Sequence, residues 1–176
     1  MKEAIICAGF GGQGIMLLGK FMAFGGMNNG LKVTWMPSYG AEVRGGTAYC
    51  MVIISDDEIA SPIVSLCDTV IAMNKPSFDK FIRNVRPNGM LIANSSLADT
   101  KSDRKDIKIV WVPMTDIAHK LGNVKVANMV ALGAYMKNKN LFLKNAIIAG
   151  IGIAFPADIK LQDLNIKALE EGMKIK

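Results

Sequence analysis

Apolar residues along this chain come in short runs broken by glycine and by polar turns. Residues 3–8 form one such run, ending in glycine, and read as a buried strand. Residues 14–28 have helical length with Lys20 as the one charge. Their apolar side chains fall on both sides, which predicts a helix buried on two faces, or on one face and a subunit contact. Asn28-Asn29-Gly30 reads as its stop, and residues 31–36 as a second strand. After Pro37 comes a polar loop, 38–46, followed by strands at 47–54, 68–73, 90–93 and 107–112. A short extended piece from Ile59 to Val64 is interrupted by Pro62. Phe78, Phe81, Ile82 and Val85 fall at helical spacing, Arg86-Pro87-Asn88-Gly89 reads as a turn, and the span 94–106 as a polar, exposed connection. Beyond Pro113 the spacing becomes helical, with a break near Gly122-Asn123 and a helix at 126–137. A segment near 141–151 fits helix or strand. Leu161, Leu164 and Ala168 mark a final helix.

The opening strand, glycine turn, helix and strand make one βαβ unit, which predicts a parallel sheet with a right-handed crossover. The fold expected is α/β: a three-layer, Rossmann-like arrangement with a mostly parallel sheet and helices on both faces, in a single domain spanning 1–176.

Composition sharpens this picture in three places. Half of the residues are hydrophobic (51%) and 12 are methionine, which suits either a rich core or a subunit with a large apolar interface. The net charge of +6 favours anionic partners such as nucleotides, CoA-like cofactors or acidic proteins. Nucleic acid is disfavoured, because the basic residues are scattered. The densest group, Lys101, Arg104, Lys105 and Lys108, alternates with Asp103 and Asp106 and reads as a solvated face. Cys7, Cys50 and Cys67 sit far apart in apolar runs without C-x-x-C spacing, so they read as reduced, buried thiols in a cytoplasm rather than as zinc or cluster ligands. No run of 18 apolar residues predicts a membrane span, and the glycine-interrupted start does not read as a signal peptide.

The chemistry-bearing positions are two glycine-rich segments. Gly9-Phe10-Gly11-Gly12-Gln13-Gly14 follows a strand and opens a helix, the setting in which backbone N–H groups approach a phosphate. A tight turn with no ligand is the alternative. A dinucleotide site would also need an acidic residue closing the second strand, and that strand ends Thr34-Trp35-Met36-Pro37, so NAD is disfavoured. Arg44, flanked by Gly45 and Gly46, is a candidate bidentate phosphate contact, or else an ion-pair partner of Glu42 or of another subunit. Lys20 lies one and a half turns into the first helix, as a phosphate contact or an exposed edge. His119, the sole histidine, reads as structural, and no carboxylate pair stands out for acid–base work.

Gly9 to Gly14, the stretch Ser38-Tyr39-Gly40-Ala41-Glu42-Val43-Arg44-Gly45-Gly46-Thr47, Ser61-Pro62 and Asn128-Met129-Val130-Ala131-Leu132-Gly133-Ala134 together resemble the gamma subunit of the 2-oxoacid:ferredoxin oxidoreductases, most closely the 2-oxoglutarate type. The resemblance implies a subunit, inactive alone, of an enzyme that decarboxylates a 2-oxoacid, forms an acyl-CoA and reduces ferredoxin. It implies a role in CoA binding for the stretch from Gly9 through Gly11, Gly12, Gln13 and Gly14 to Lys20, to which Arg44, Gly45 and Gly46 are added as candidates on the residue reading above. It places thiamine diphosphate, Mg and [4Fe-4S] clusters on partner subunits of alpha, beta and delta type. No catalytic residue and no metal ligand is expected in this chain. Pyruvate, branched-chain and indolepyruvate members of the family remain as alternatives, as do a free-standing nucleotide-binding protein and a subunit whose glycine loops bind nothing.

Overall fold

Six apolar runs become six strands of one sheet: β1 (Lys2–Phe10), β2 (Lys32–Tyr39), β3 (Thr47–Ser55), β4 (Cys67–Ala72), β5 (Val85–Asn94) and β6 (Lys108–Val112). The computed structural model describes residues 2–39, 47–98 and 100–175. Strand order is β2-β3-β1-β4-β5-β6. Strands β1, β4, β5 and β6 pair in parallel, so their C-terminal ends share one edge. β3 runs antiparallel to both β1 and β2. The α/β expectation holds, with one correction to the opening βαβ unit. β2 runs in the same direction as β1, yet β3 lies between them. A short connection suffices for antiparallel strands, and β3 pairs antiparallel with β2 on one side and β1 on the other.

The helices are α1 (Ile15–Asn28), α2 (Lys75–Phe81), α3 (Met114–Lys120), α4 (Ala127–Lys139), α5 (Lys144–Ala154) and α6 (Ile159–Met173). They cover the two faces unequally. On one face, Ile5, Cys7, Val52, Ile71 and Ile92 pack with Leu18 and Met22 of α1 and Met129 and Leu132 of α4. On the other, Ile6, Val70 and Leu91 meet Phe78 and Phe81 of α2 and Val64. Both sides of the central strands are therefore buried, as parallel sheets require. α4 is buried from Ala127 through Met136 because α6 rests on its outer side. The ambiguous segment resolves as α5, which packs on α1 and buries one side of that helix. No helix among the described residues is long and apolar enough to cross a membrane.

Three local expectations are corrected. Ile59 to Val64 forms no strand: Pro62 has no N–H to give a ladder, and Val64 N donates to Met51 Sδ (3.3 Å) instead. The Arg86–Gly89 turn lies inside β5 as a bulge, with Asn88 at φ 62° and the pairing with β4 jumping from Cys67–Val85 to Thr69–Met90. Arg104 is not simply solvated. Its guanidinium grips Asp106 through two hydrogen bonds (2.6 and 2.7 Å) and donates to the carbonyls of Ile82 and Val85.

All three thiols are free and buried. Cys7 and Cys50, forty-three positions apart in the chain, face each other across β1 and β3. The Cys50 thiol beside it and burial push Cys7 well up, and burial pushes Cys67 to about 12. The thiolate is the reactive species. The hydrogen bond from Cys7 pulls Cys50 the other way, below the usual thiol range, so protection of all three rests on burial: an aromatic disulfide reagent should label none of them in the folded protein and all of them in denaturant. Rapid native labelling would contradict this packing.

Candidate functional site

β1 ends at Phe10, and the chain turns sharply into α1. Gln13 N donates to Phe10 O (3.1 Å), and Gly12 and Gly14 take left-handed φ values of 97° and 71°. Gln13 closes the turn from within. Its Oε1 accepts from Phe10 N (2.7 Å) and from Asn74 Nδ2 (2.8 Å), and its Nε2 donates to Met73 O (3.3 Å). The Gln13 amide thus ties the end of β1 to the end of β4, the point from which the chain winds to opposite sides of the sheet. In open α/β sheets this is where ligands bind.

Two further amides extend the stitching. Asn94, at the end of β5, donates to Met73 O (3.1 Å) and Thr115 Oγ1 (2.8 Å), and its Oδ1 accepts from Met114 N (3.1 Å). Asn128, in the first turn of α4, donates to Gly14 O (3.1 Å). Asn128 is only 2% exposed, and its Oδ1 has no partner among the described residues. Gly14 must be glycine twice over: its φ is unfavourable for other residues, and a Cβ would fall within 2.9 Å of Asn128 Cγ.

α1 starts behind this turn with Gly14 as its cap, no side-chain cap bond and no acidic residue in its first turn. The first-turn N–H groups have no acceptor within the helix, and the positive end of the helix dipole lies there. That end attracts anions. Beside it is a cavity of about 180 Å³, bordered by Gly12, Gln13, Met73, Thr115, Val124 and Lys125. No carboxylate is present among the described residues that line it.

The sequence-derived candidates divide on this geometry. Gly9, Gly11 and Gly14 shape the turn, while Gly12 and Gln13 line the cavity. Lys20 is exposed, and its ammonium lies 5.3 Å from the centre of the Trp35 ring, a cation–π contact away from the cavity wall. Arg44, Gly45 and Gly46 lie outside the described residues, as does Glu42. The next described residue, Thr47, pairs with Phe10, so that segment rejoins the fold beside the glycine turn. His119 is exposed at the end of α3. Sequence reasoning missed the bracing role of Asn74, Asn94 and Asn128. The available signal was a single asparagine at each strand end or helix start. Among the described residues, no group of three or more His, Cys, Asp or Glu side chains is gathered to hold a metal ion.

Residues 4–175 match the family described as pyruvate ferredoxin/flavodoxin oxidoreductase. The chain belongs to this family. Its relatives within the oxidoreductase family include ketoisovalerate oxidoreductase subunit VorA of Methanothermobacter marburgensis, 36% identical over 166 residues, covering 94% of this chain and 34% of that protein. The chain therefore spans about a third of that relative's length. 2-Oxoglutarate synthase subunit KorC of Methanocaldococcus jannaschii is 29% identical over 178 residues, covering 99% and 94%. Among solved structures, the gamma subunit of a keto/oxoacid ferredoxin oxidoreductase from Geobacter sulfurreducens aligns with a TM-score of 0.85 at 28% identity, over 99% of this chain and 96% of that one. The 2-oxoglutarate:ferredoxin oxidoreductase from Magnetococcus marinus, with 2-oxoglutarate, coenzyme A and succinyl-CoA bound, shares the fold with a TM-score of 0.90 at 24% identity, over 98% of this chain and 30% of that one. The gamma-subunit resemblance drawn from the glycine motifs is borne out. The 2-oxoglutarate type is one of two that these relatives represent.

Proposed function

We propose that this chain is the gamma subunit of a multisubunit 2-oxoacid:ferredoxin oxidoreductase in the cytoplasm, where it helps to bind CoA and to assemble the complex. The observation that carries the CoA role is the uncapped, acid-free start of α1 behind a glycine turn, opening onto a cavity free of carboxylates among the described residues. The first-turn N–H groups of α1 and the backbone at Gly11, Gly12 and Gln13 would face the phosphates. Arg44, with Gly45 and Gly46 on the segment that rejoins the fold at Thr47, would add a guanidinium. Lys20 would join them by swinging off Trp35. When bound, CoA supplies the thiol that carries away the acyl group.

Among the described residues no side chains gather to hold Mg or a [4Fe-4S] cluster, and the sequence has no G-D-G segment of the kind that binds thiamine diphosphate with Mg. Cys7 and Cys50 are buried on one face of the sheet and Cys67 on the other. These groups fall to partner chains of alpha, beta and delta type, and ferredoxin takes the electrons from the complex.

For the 2-oxoacid, the 2-oxoglutarate assignment rests on the Arg44 segment and the KorC relatives. A branched-chain acid is the second reading, favoured by the 36% identity to a ketoisovalerate subunit. The test is CoA-dependent reduction of a viologen dye by the complex purified on a tagged copy of this chain. 2-Oxoglutarate, ketoisovalerate, pyruvate and indolepyruvate would be compared. Turnover of 2-oxoglutarate with the highest kcat/KM is the expected result. Preference for ketoisovalerate supports the second reading, and no turnover of any 2-oxoacid contradicts both.

A further inference from the structure

We infer that Lys125, rather than Lys20 alone, is a phosphate-binding cation of the coenzyme site, and that the cavity it borders receives the neutral, amide-bearing thiol arm next to those phosphates. This rests on the CoA role proposed above and adds residues that sequence reasoning did not single out.

Lys125 stands on a short 3-10 helix, Val124–Val126, just before α4. Its backbone is fixed, since Lys125 N donates to Asn123 Oδ1 (3.0 Å). Its side chain is exposed and borders the same cavity as Gly12 and Gln13. Like several other lysines, Lys125 makes no ion pair among the described residues; what sets it apart is that it is the one lysine among the described residues lining this cavity. Lys20, the cation expected from sequence, is occupied by the Trp35 ring. The amide of Asn128 ties the glycine turn to the first turn of α4, next to Lys125, which keeps the spacing between the turn and Lys125 fixed.

The cavity's size selects the part of the ligand that enters. Cavities of about 150 Å³ accept a benzene-sized guest, so about 180 Å³ admits a slim chain and not a nucleotide. Its walls are mainly apolar: Met73 is buried, while Val124 and Leu97 are 51% and 45% exposed at the rim. Thr115 supplies the polar point. Its Oγ1 accepts from Asn94 Nδ2, which leaves its own O–H to donate to an amide carbonyl.

The test is calorimetric titration of CoA into the purified complex without 2-oxoacid, comparing wild type with Lys125→Glu, Lys125→Arg, Val124→Trp and Gly14→Ala. Lys125→Glu should raise Kd roughly ten-fold or more, the loss expected for one charge-assisted contact, while Lys125→Arg stays near wild type. Val124→Trp, which plugs the rim from an exposed position, should weaken binding comparably. Kd for Lys125→Glu within two-fold of wild type overturns the Lys125 assignment. An unchanged Kd for Val124→Trp overturns the seat of the arm. If Gly14→Ala still weakens binding in those cases, the CoA role itself stands. If no variant changes Kd, both fall.

Discussion

Gly133→Ala should cost this chain about 3 kcal/mol, the upper end of what overpacking usually costs, and lower its Tm by roughly 10 °C. A Cβ at Gly133 of α4 would overlap the carbonyl oxygen of Leu169 in α6 and come within 2.8 Å of Met173 N. The reverse holds at Gly172, where a Cβ would overlap the carbonyl oxygen of Val130. The atoms in the way are backbone on both sides, so no side chain can swing aside, and the two helices must separate. That gap would open along α4, which is otherwise buried from Ala127 through Met136. Gly152→Ala in α5 is the control. A Cβ there meets nothing closer than Gln162 Oε1 at 4.0 Å, and alanine is the better helix former by about 1 kcal/mol. Urea unfolding of both variants checks the pair. Equal stabilities would mean that α4 and α6 do not touch through backbone.

Gly14→Ala has the largest expected effect on ligand binding. Two costs coincide at this residue. A side chain at φ 71° costs about 1–3 kcal/mol where the surroundings hold the backbone in place. The added Cβ also presses on the side chain of Asn128, which holds the turn through Gly14 O. The turn can relieve both only by rotating its peptide planes, which reorients the N–H groups at the start of α1. CoA affinity of the complex should fall roughly ten-fold or more if the turn gives up one charge-assisted contact. Asn128→Ala should also weaken CoA binding, by a smaller factor, since it removes the tether but leaves the left-handed turn. Titration of both variants checks the order. Stronger loss at Asn128 than at Gly14 would shift the site from the turn to α4.

Much of the fold was legible because strands buried on both faces write themselves as unbroken apolar runs. Each of the six strands was located from an apolar run, although β5 begins at Val85, which falls at helical spacing, and the edge strand β2 is not buried; the glycine turn before α1 was found from spacing alone. The insertion of β3 between β1 and β2 was not legible. Pairing joins residues far apart in the chain, such as Cys7 with Cys50, and no local pattern records it. The same distance hid the opposition of those two thiols. The segment at 141–151 stayed ambiguous because α5 buries Ile147 and Ile151 yet leaves Ile153 exposed, an apolar surround without clean periodicity.

For the site, the sequence marked the glycines correctly as a turn but gave no sign that the Gln13 side chain is spent inside it. Lys20 stood out by its place on the first helix, although Trp35, fifteen positions on, takes its charge. Lys125 carried no motif. Its position beside Gly12 follows from the packing of α4 against the turn, a contact between residues more than a hundred positions apart.

On the reading proposed above, this chain works as one subunit of a larger enzyme. The most direct test is anaerobic affinity purification of the chain from its native host, with the accompanying proteins identified by mass spectrometry. Chains binding thiamine diphosphate and iron–sulfur clusters should come with it in fixed ratio. A chain that emerges alone and soluble, with tight affinity for a free nucleotide, would contradict that reading.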